Sequence, residues 1–102
     1  MDLVEIFIPK TDNDGRAFPA GLFSSVRQEL VDRFGGMTAF TREPVEGLWG
    51  IAEGGKRHDT LIIYEVMVQE VDRLWWEAYK SDLEKRFAQD ELVIRVSTIE
   101  VI

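Results

Sequence analysis

No cysteine occurs among the 102 residues, which excludes disulfide cross-links, thiolate zinc sites and cysteine nucleophiles and argues against a small secreted scaffold. Histidine is reduced to one residue, His58, so a histidine-rich metal cluster is excluded as well. No stretch reaches the roughly 18 uninterrupted apolar residues that a membrane-spanning helix needs. The opening Met1-Asp2-Leu3-Val4-Glu5 has neither a basic region nor a long apolar core and does not read as a signal peptide, so a cytoplasmic location is expected. Positive charge is also scarce. Twelve Lys and Arg stand against nineteen Asp and Glu, a formal charge of −7 spread along the chain. Such a field repels polyanions at long range, so neither nucleic acid nor an anionic membrane surface is an expected partner. The one basic cluster, Lys56-Arg57-His58 joined by Arg42, reads as a solvated loop.

What is present is ordinary globular material. With 45% hydrophobic and 30% charged residues, the chain has the composition of a folded domain, and its length suits a single core over residues 1–102. Val4, Ile6 and Ile8 alternate with Leu3, Glu5 and Phe7, the period-2 pattern of a strand that Pro9 ends. Asp12-Asn13-Asp14-Gly15 is a turn-rich loop, and Pro19 suits the opening of a helix. Leu22, Val26, Leu30 and Phe34, with Phe23 beside them, form one helical face, and Gly35-Gly36 stops it. Short strand-like runs at Met37–Thr41 and Gly47–Ala52, interrupted by Arg42-Glu43-Pro44, predict an irregular edge strand. A turn at Glu53–Lys56 leads to a nearly continuous apolar strand from Thr60 to Val68 that should sit centrally.

Asp72 then reads as an N-cap, with Val71 placed to pack on Trp76 as a hydrophobic staple. Trp76, Tyr79, Leu83 and Phe87 share one stripe of the second helix, Asp82 and Arg86 form an i,i+4 pair, and Leu74 and Ala78 extend a second apolar face. A final strand is expected over Glu91 to Ile102. The order β-α-β-β-α-β predicts an α+β, ferredoxin-like fold, a four-stranded antiparallel sheet in the order 4-1-3-2 with two helices on one face. The run Phe34-Gly35-Gly36-Met37-Thr38-Ala39-Phe40-Thr41-Arg42, followed by Gly47-Leu48-Trp49, resembles a family of small bacterial proteins of uncharacterised function. At the level of fold the chain also resembles the dimeric α+β barrel group that includes antibiotic-biosynthesis monooxygenase-like proteins. Neither resemblance carries a catalytic residue onto this sequence.

Three local patterns invite a chemical reading. Gly50 to Lys56 matches the GxxxxGK part of a phosphate-binding loop, but Arg57 replaces the required hydroxyl residue and a strand follows where a helix is needed, so a hairpin turn is expected. Asp12 to Gly15 has the look of a calcium loop, yet Lys10 and Gly21 occupy the positions of its first acid and last Glu, leaving an Asx-rich turn and no metal site. His58 is the one candidate general base, and neither a nucleophile nor an orienting carboxylate accompanies it.

Two features bear on function. Trp75 and Trp76 lie about 100° apart on a helix, so both cannot face one core and one belongs at a boundary. The aromatic set suggests a ligand pocket between helices and sheet, lined by Trp49, Tyr64, Trp76 and Tyr79 and edged by Arg42 and His58, against the plainer account that these rings only pack. The second feature is the sheet face turned from the helices, which carries Leu3, Glu5, Phe7, Leu61, Ile63, Glu65, Met67, Val93 and Arg95. With strand one between strands four and three, Glu5 can, depending on register, neighbour both Glu65 and Arg95, and Arg95 is expected to bond at least one glutamate within or across an interface while the other shifts its pKa upward or reaches water. So apolar a face predicts a homodimer. The expected function is therefore a homodimeric small-molecule-binding protein or cofactor-independent enzyme of the dimeric α+β barrel type. The alternative is a non-catalytic interaction or regulatory module, and a purely structural domain is the simplest case.

Overall fold

A computed structural model of the chain describes residues 1–42 and 60–102. Their element order is β1 (Asp2–Pro9), α1 (Ala20–Phe34), β2 (Thr38–Arg42), β3 (Leu61–Val68), α2 (Arg73–Arg86) and β4 (Val93–Thr98). The four strands form one antiparallel sheet in the order β2-β3-β1-β4, which is the expected 4-1-3-2 order read from the other edge. The fold is ferredoxin-like, as the periodicity predicts.

Side-chain parity decides the layers. Val4, Ile6 and Ile8 of β1 and Tyr64 and Val66 of β3 are buried in one cluster with Val26 and Leu30 of α1 and Trp76, Tyr79, Leu83 and Phe87 of α2. Successive strand residues point to opposite faces, so both helices cover the face that carries these side chains. Each helix begins and ends for a local reason. Pro19 precedes α1, and Gly35 closes it at φ 83° with its N–H donating to the Val31 carbonyl at 2.8 Å. Asp72 caps α2 by accepting from the Trp75 N–H at 3.2 Å. Val71, beside that cap, packs against the core cluster that contains Trp76.

Three expectations change in detail. The final strand is shorter than Glu91 to Ile102, spanning Val93–Thr98, after which one further backbone bond joins the Ile99 N–H to the Met1 carbonyl. Leu74 and Ala78 do not form a second packed face: Leu74 is 80% exposed and Ala78 is exposed too. The edge strand is Thr38–Arg42, while Gly47–Ala52 and the turn at Glu53–Lys56 fall outside the described residues.

Helix α2 ends without glycine. Phe87 is the C-cap, and Ala88 takes φ 51°, a left-handed conformation in which a Cβ crowds the following carbonyl. Ala88→Gly should therefore raise the unfolding free energy by about 1 kcal/mol, read as a higher urea midpoint at unchanged slope. A lower midpoint would mean that the lost chain entropy outweighs the relieved crowding.

Candidate functional site

Among the described residues, the face of the sheet that carries the helices is not fully covered. At its β2 edge, Ala39 and Thr41 of β2 and Ile62 and Tyr64 of β3 form the floor of a cleft of about 430 Å³. Ala20, Phe23 and Arg27 of α1 form one wall, and Lys10, Ala17 and Phe18 of the preceding loop form the end. The spacing of Ala20, Phe23 and Arg27, at i, i+3 and i+7, puts them on one stripe of the helix. Lys10 continues the parity of Ile6 and Ile8. Its backbone N–H donates to the Thr60 carbonyl at 2.9 Å, which holds the start of the loop against β3.

The loop itself is built by Asp12. Its Oδ1 accepts from the backbone N–H groups of Asp14 at 2.8 Å and Arg16 at 2.9 Å, and Gly15 takes φ 85°. This is an Asx-stabilised turn. A one-bridge pairing of Thr11 with Ala17 then returns the chain so that Phe18 meets Phe23 and Phe87 edge-on, at 6.2 and 5.1 Å between ring centroids. No cluster of three or more His, Cys, Asp or Glu side chains suited to a metal ion occurs among the described residues.

Tyr64 is the polar centre of the cleft. It is buried, and its hydroxyl accepts from the Arg27 Nη1 at 3.4 Å. Burial pushes its pKa above the usual tyrosine range, with the Arg27 guanidinium pulling partly the other way, so the phenol keeps its proton at neutral pH.

The other candidate ligand residues do not gather there. Trp76 stacks on Phe34 at 5.3 Å in the seam between the helices and borders a separate groove of about 580 Å³ with Arg33, Glu70 and Asp72. Tyr79 lies in the same seam, where its hydroxyl donates to Glu29 Oε1 at 2.8 Å and Arg86 reaches that carboxylate at 3.0 Å. Burial and the Glu29 hydrogen bond both raise the Tyr79 pKa. Trp75 is the boundary ring, half-buried with the Arg33 guanidinium 4.2 Å from its centroid. Arg42 belongs to the opposite face of the sheet, with its guanidinium 5.7 Å from the Phe7 ring. Trp49 and His58 lie outside the described residues. Phe18, Phe23, Arg27 and Lys10 were not singled out as site residues from sequence. The parity of Lys10 with Ile6 and Ile8 and the stripe through Ala20, Phe23 and Arg27 are the signals that could have found them.

The open face is a set of rows. Glu5 stands directly opposite Glu65 on one side and Arg95 on the other, and the Arg95 Nη2 reaches Glu5 Oε1 at 3.5 Å. The next row is Val93, Phe7, Ile63 and Phe40. Arg95 also lies 4.6 Å from the Phe7 centroid. Phe7 and Ile63 are already buried, at 8% and 0% exposure, while Met67 and Val93 remain 56% and 51% exposed. The apolar area this face leaves to a partner is thus smaller than the alternation alone implies.

No protein-family model matches the chain, and no curated protein matches it. Among solved structures, a phage SAM lyase in complex with S-methyl-5'-thioadenosine superposes with a TM-score of 0.63 at 11% identity, over 94% of this chain and 79% of that one. The same kind of enzyme in its apo state gives 0.58 at 9% identity, over 94% and 78%. The likeness is one of fold. It assigns this chain no reaction.

Glu65 titrates above the usual glutamate range, first because it is desolvated and then because Glu5 faces it. A carboxyl whose pKa is higher in the folded state binds more protons there than in the unfolded chain, so stability falls as pH rises through the window between the two values. Glu65→Gln removes this loss. Like charges directly opposite cost about 0.2–1 kcal/mol, so the variant should melt roughly 1–8 °C higher than wild type at pH 7, with the gap narrowing toward pH 4. An equal gap at both pH values would show that the carboxylate repulsion is not its source.

Proposed function

We propose that this chain is a small-molecule-binding domain whose ligand lies in the cleft between α1 and the β2–β3 pair. The observation that carries this reading is the cleft itself: about 430 Å³, with Phe18, Phe23 and Ile62 as apolar surface and Arg27, Lys10 and Tyr64 as polar groups. Concave apolar surface with a few convergent polar groups is the usual form of a ligand site. The similarly folded phage SAM lyase holds S-methyl-5'-thioadenosine, which supports the view that a scaffold of this size accommodates a ligand of that size. In a thermal-shift screen of S-methyl-5'-thioadenosine and small aromatic acids, at least one compound should raise the melting temperature by mass action. Ala39→Trp, which fills the cleft from the exposed edge strand, should abolish that shift. A shift that survives this substitution, or no shift with any compound, would rule the reading out.

We further propose that the open sheet face pairs with a second copy of the chain. Phe40, Met67 and Val93 are large apolar side chains exposed on that face. The charges beside them, Arg95 against Glu5 and Glu65, are of both signs, so an identical face offers matching apolar surface and opposite charge. Met67→Asp and Val93→Asp alter exposed positions and leave the buried Phe7 and Ile63 intact. Each should convert dimers to monomers in sedimentation velocity. A wild-type chain that sediments as a monomer at tens of micromolar would refute the pairing.

A further inference from the structure

Resting on the cleft as the ligand site, we infer that its ligand is an organic anion, bound with its charged group at Arg27 and Tyr64 and its apolar body against Phe18 and Phe23. The charged groups of the cleft, Arg27 and Lys10, are both cations, and the polar side chains beside them, Tyr64 and Thr41, carry hydroxyls that can donate. Arg27 gives one N–H to the Tyr64 oxygen and keeps others free to donate, because a guanidinium carries five. Among the described residues Arg27 forms no ion pair, nor does Lys10. Tyr64 accepts from Arg27 and donates to no described residue. Its side chain is buried at 1% exposure, so its proton faces a cleft that has no acceptor side chain of its own except Thr41 among the described lining residues.

The setting sharpens the argument. In a chain of net charge −7 carboxylates are plentiful, and Lys80, Arg86 and Arg95 pair with them. Arg27 instead sits one turn along α1 from Phe23 and points its charge at a buried phenol. A carboxylate or phosphate ester complements the adjacent Arg27 and Tyr64 donors, with Lys10 adding positive charge at the cleft's end, and charge-assisted hydrogen bonds are the stronger kind. Arg27 is exposed to water in the free chain, and an anion replaces that water with a charge-assisted partner, which a cationic or neutral ligand does not supply. The apolar surface of Phe18, Phe23 and Ile62 calls for a body attached to the anion, so a free inorganic ion would use half the site.

Two fluorescent probes share an aromatic body and differ in charge: 1-anilinonaphthalene-8-sulfonate is an anion, and N-phenyl-1-naphthylamine is neutral. The wild-type chain should bind the sulfonate about 10- to 100-fold more tightly than the neutral probe, the range expected of a charge-assisted hydrogen bond. Added salt should reduce that preference. Arg27→Gln should bring the two affinities close together, Arg27→Lys should restore most of the difference, and circular dichroism should show both variants folded. Equal affinities in wild type, or a preference that Arg27→Gln leaves unchanged, would overturn the anion assignment while leaving the cleft as an apolar site. Binding of both probes that is indifferent to Ala39→Trp would overturn the cleft reading and the assignment with it.

Discussion

Strand β1 is paired with β3 along its whole length, Asp2–Pro9, and with β4 from Asp2 to Phe7, and the two registers together decide which side chains can meet. They send Val4, Ile6 and Ile8 into the core and hold Glu5 between Glu65 and Arg95. A slip of one residue would exchange the two faces, placing Glu5 among the helices and Ile6 outside. The cost of burying that carboxylate without a partner is what specifies the register. The core, the charged row and the apolar row beside it are all consequences of this one alignment.

Above the sheet, the helices are tied to each other as well as to the strands. Phe34 of α1 stacks on Trp76 of α2, Trp75 stacks on Tyr79, and the Tyr79 hydroxyl and Arg86 both meet Glu29. Each of these polar groups is satisfied within the seam, so the seam can be buried at little cost. The ties lie on the side of α1 that faces α2. The stripe through Ala20, Phe23 and Arg27 is left facing the β2 edge, where, among the described residues, neither helix covers Ala39, Thr41 and Ile62. The cleft follows from how the two described helices lie over the four described strands.

Charge is distributed to match. Most of the cations with an assigned contact are occupied, Arg86 and Lys80 by carboxylates, Arg95 by Glu5 and Phe7, Arg33 by Trp75 and Arg42 by Phe7. At the cleft, Arg27 meets a neutral phenol. On the open face Glu5 stands between Arg95 and Glu65, and desolvation, with the facing Glu5 second, raises the Glu65 pKa. The two faces of the sheet thus differ: the cleft on the helix side carries Arg27 and Lys10, whereas the open face sets Glu5 and Glu65 among Arg95 and Arg42.

The sequence by itself determined the elements, their order and the division of each strand into two faces. Those follow from local rules: period-2 alternation at Leu3 to Ile8, the helical stripes through Val26 and Leu83, the Asp72 cap and the Gly35 stop all act within a few residues. Even the neighbourhood of Glu5, Glu65 and Arg95 was legible, because few topologies accommodate this order of strands and helices. Tertiary structure decided which aromatic residues share a site. Tyr64, Trp76 and Tyr79 all read as pocket residues in one dimension, but α2 turns Trp76 and Tyr79 into the helix seam while Tyr64 faces Arg27 across the sheet edge. It also decided that Phe7 and Ile63 are buried on a face whose alternation reads as open. Such outcomes depend on the angle and offset at which elements pack. Many distant contacts set these quantities jointly, and no local pattern of residues encodes them.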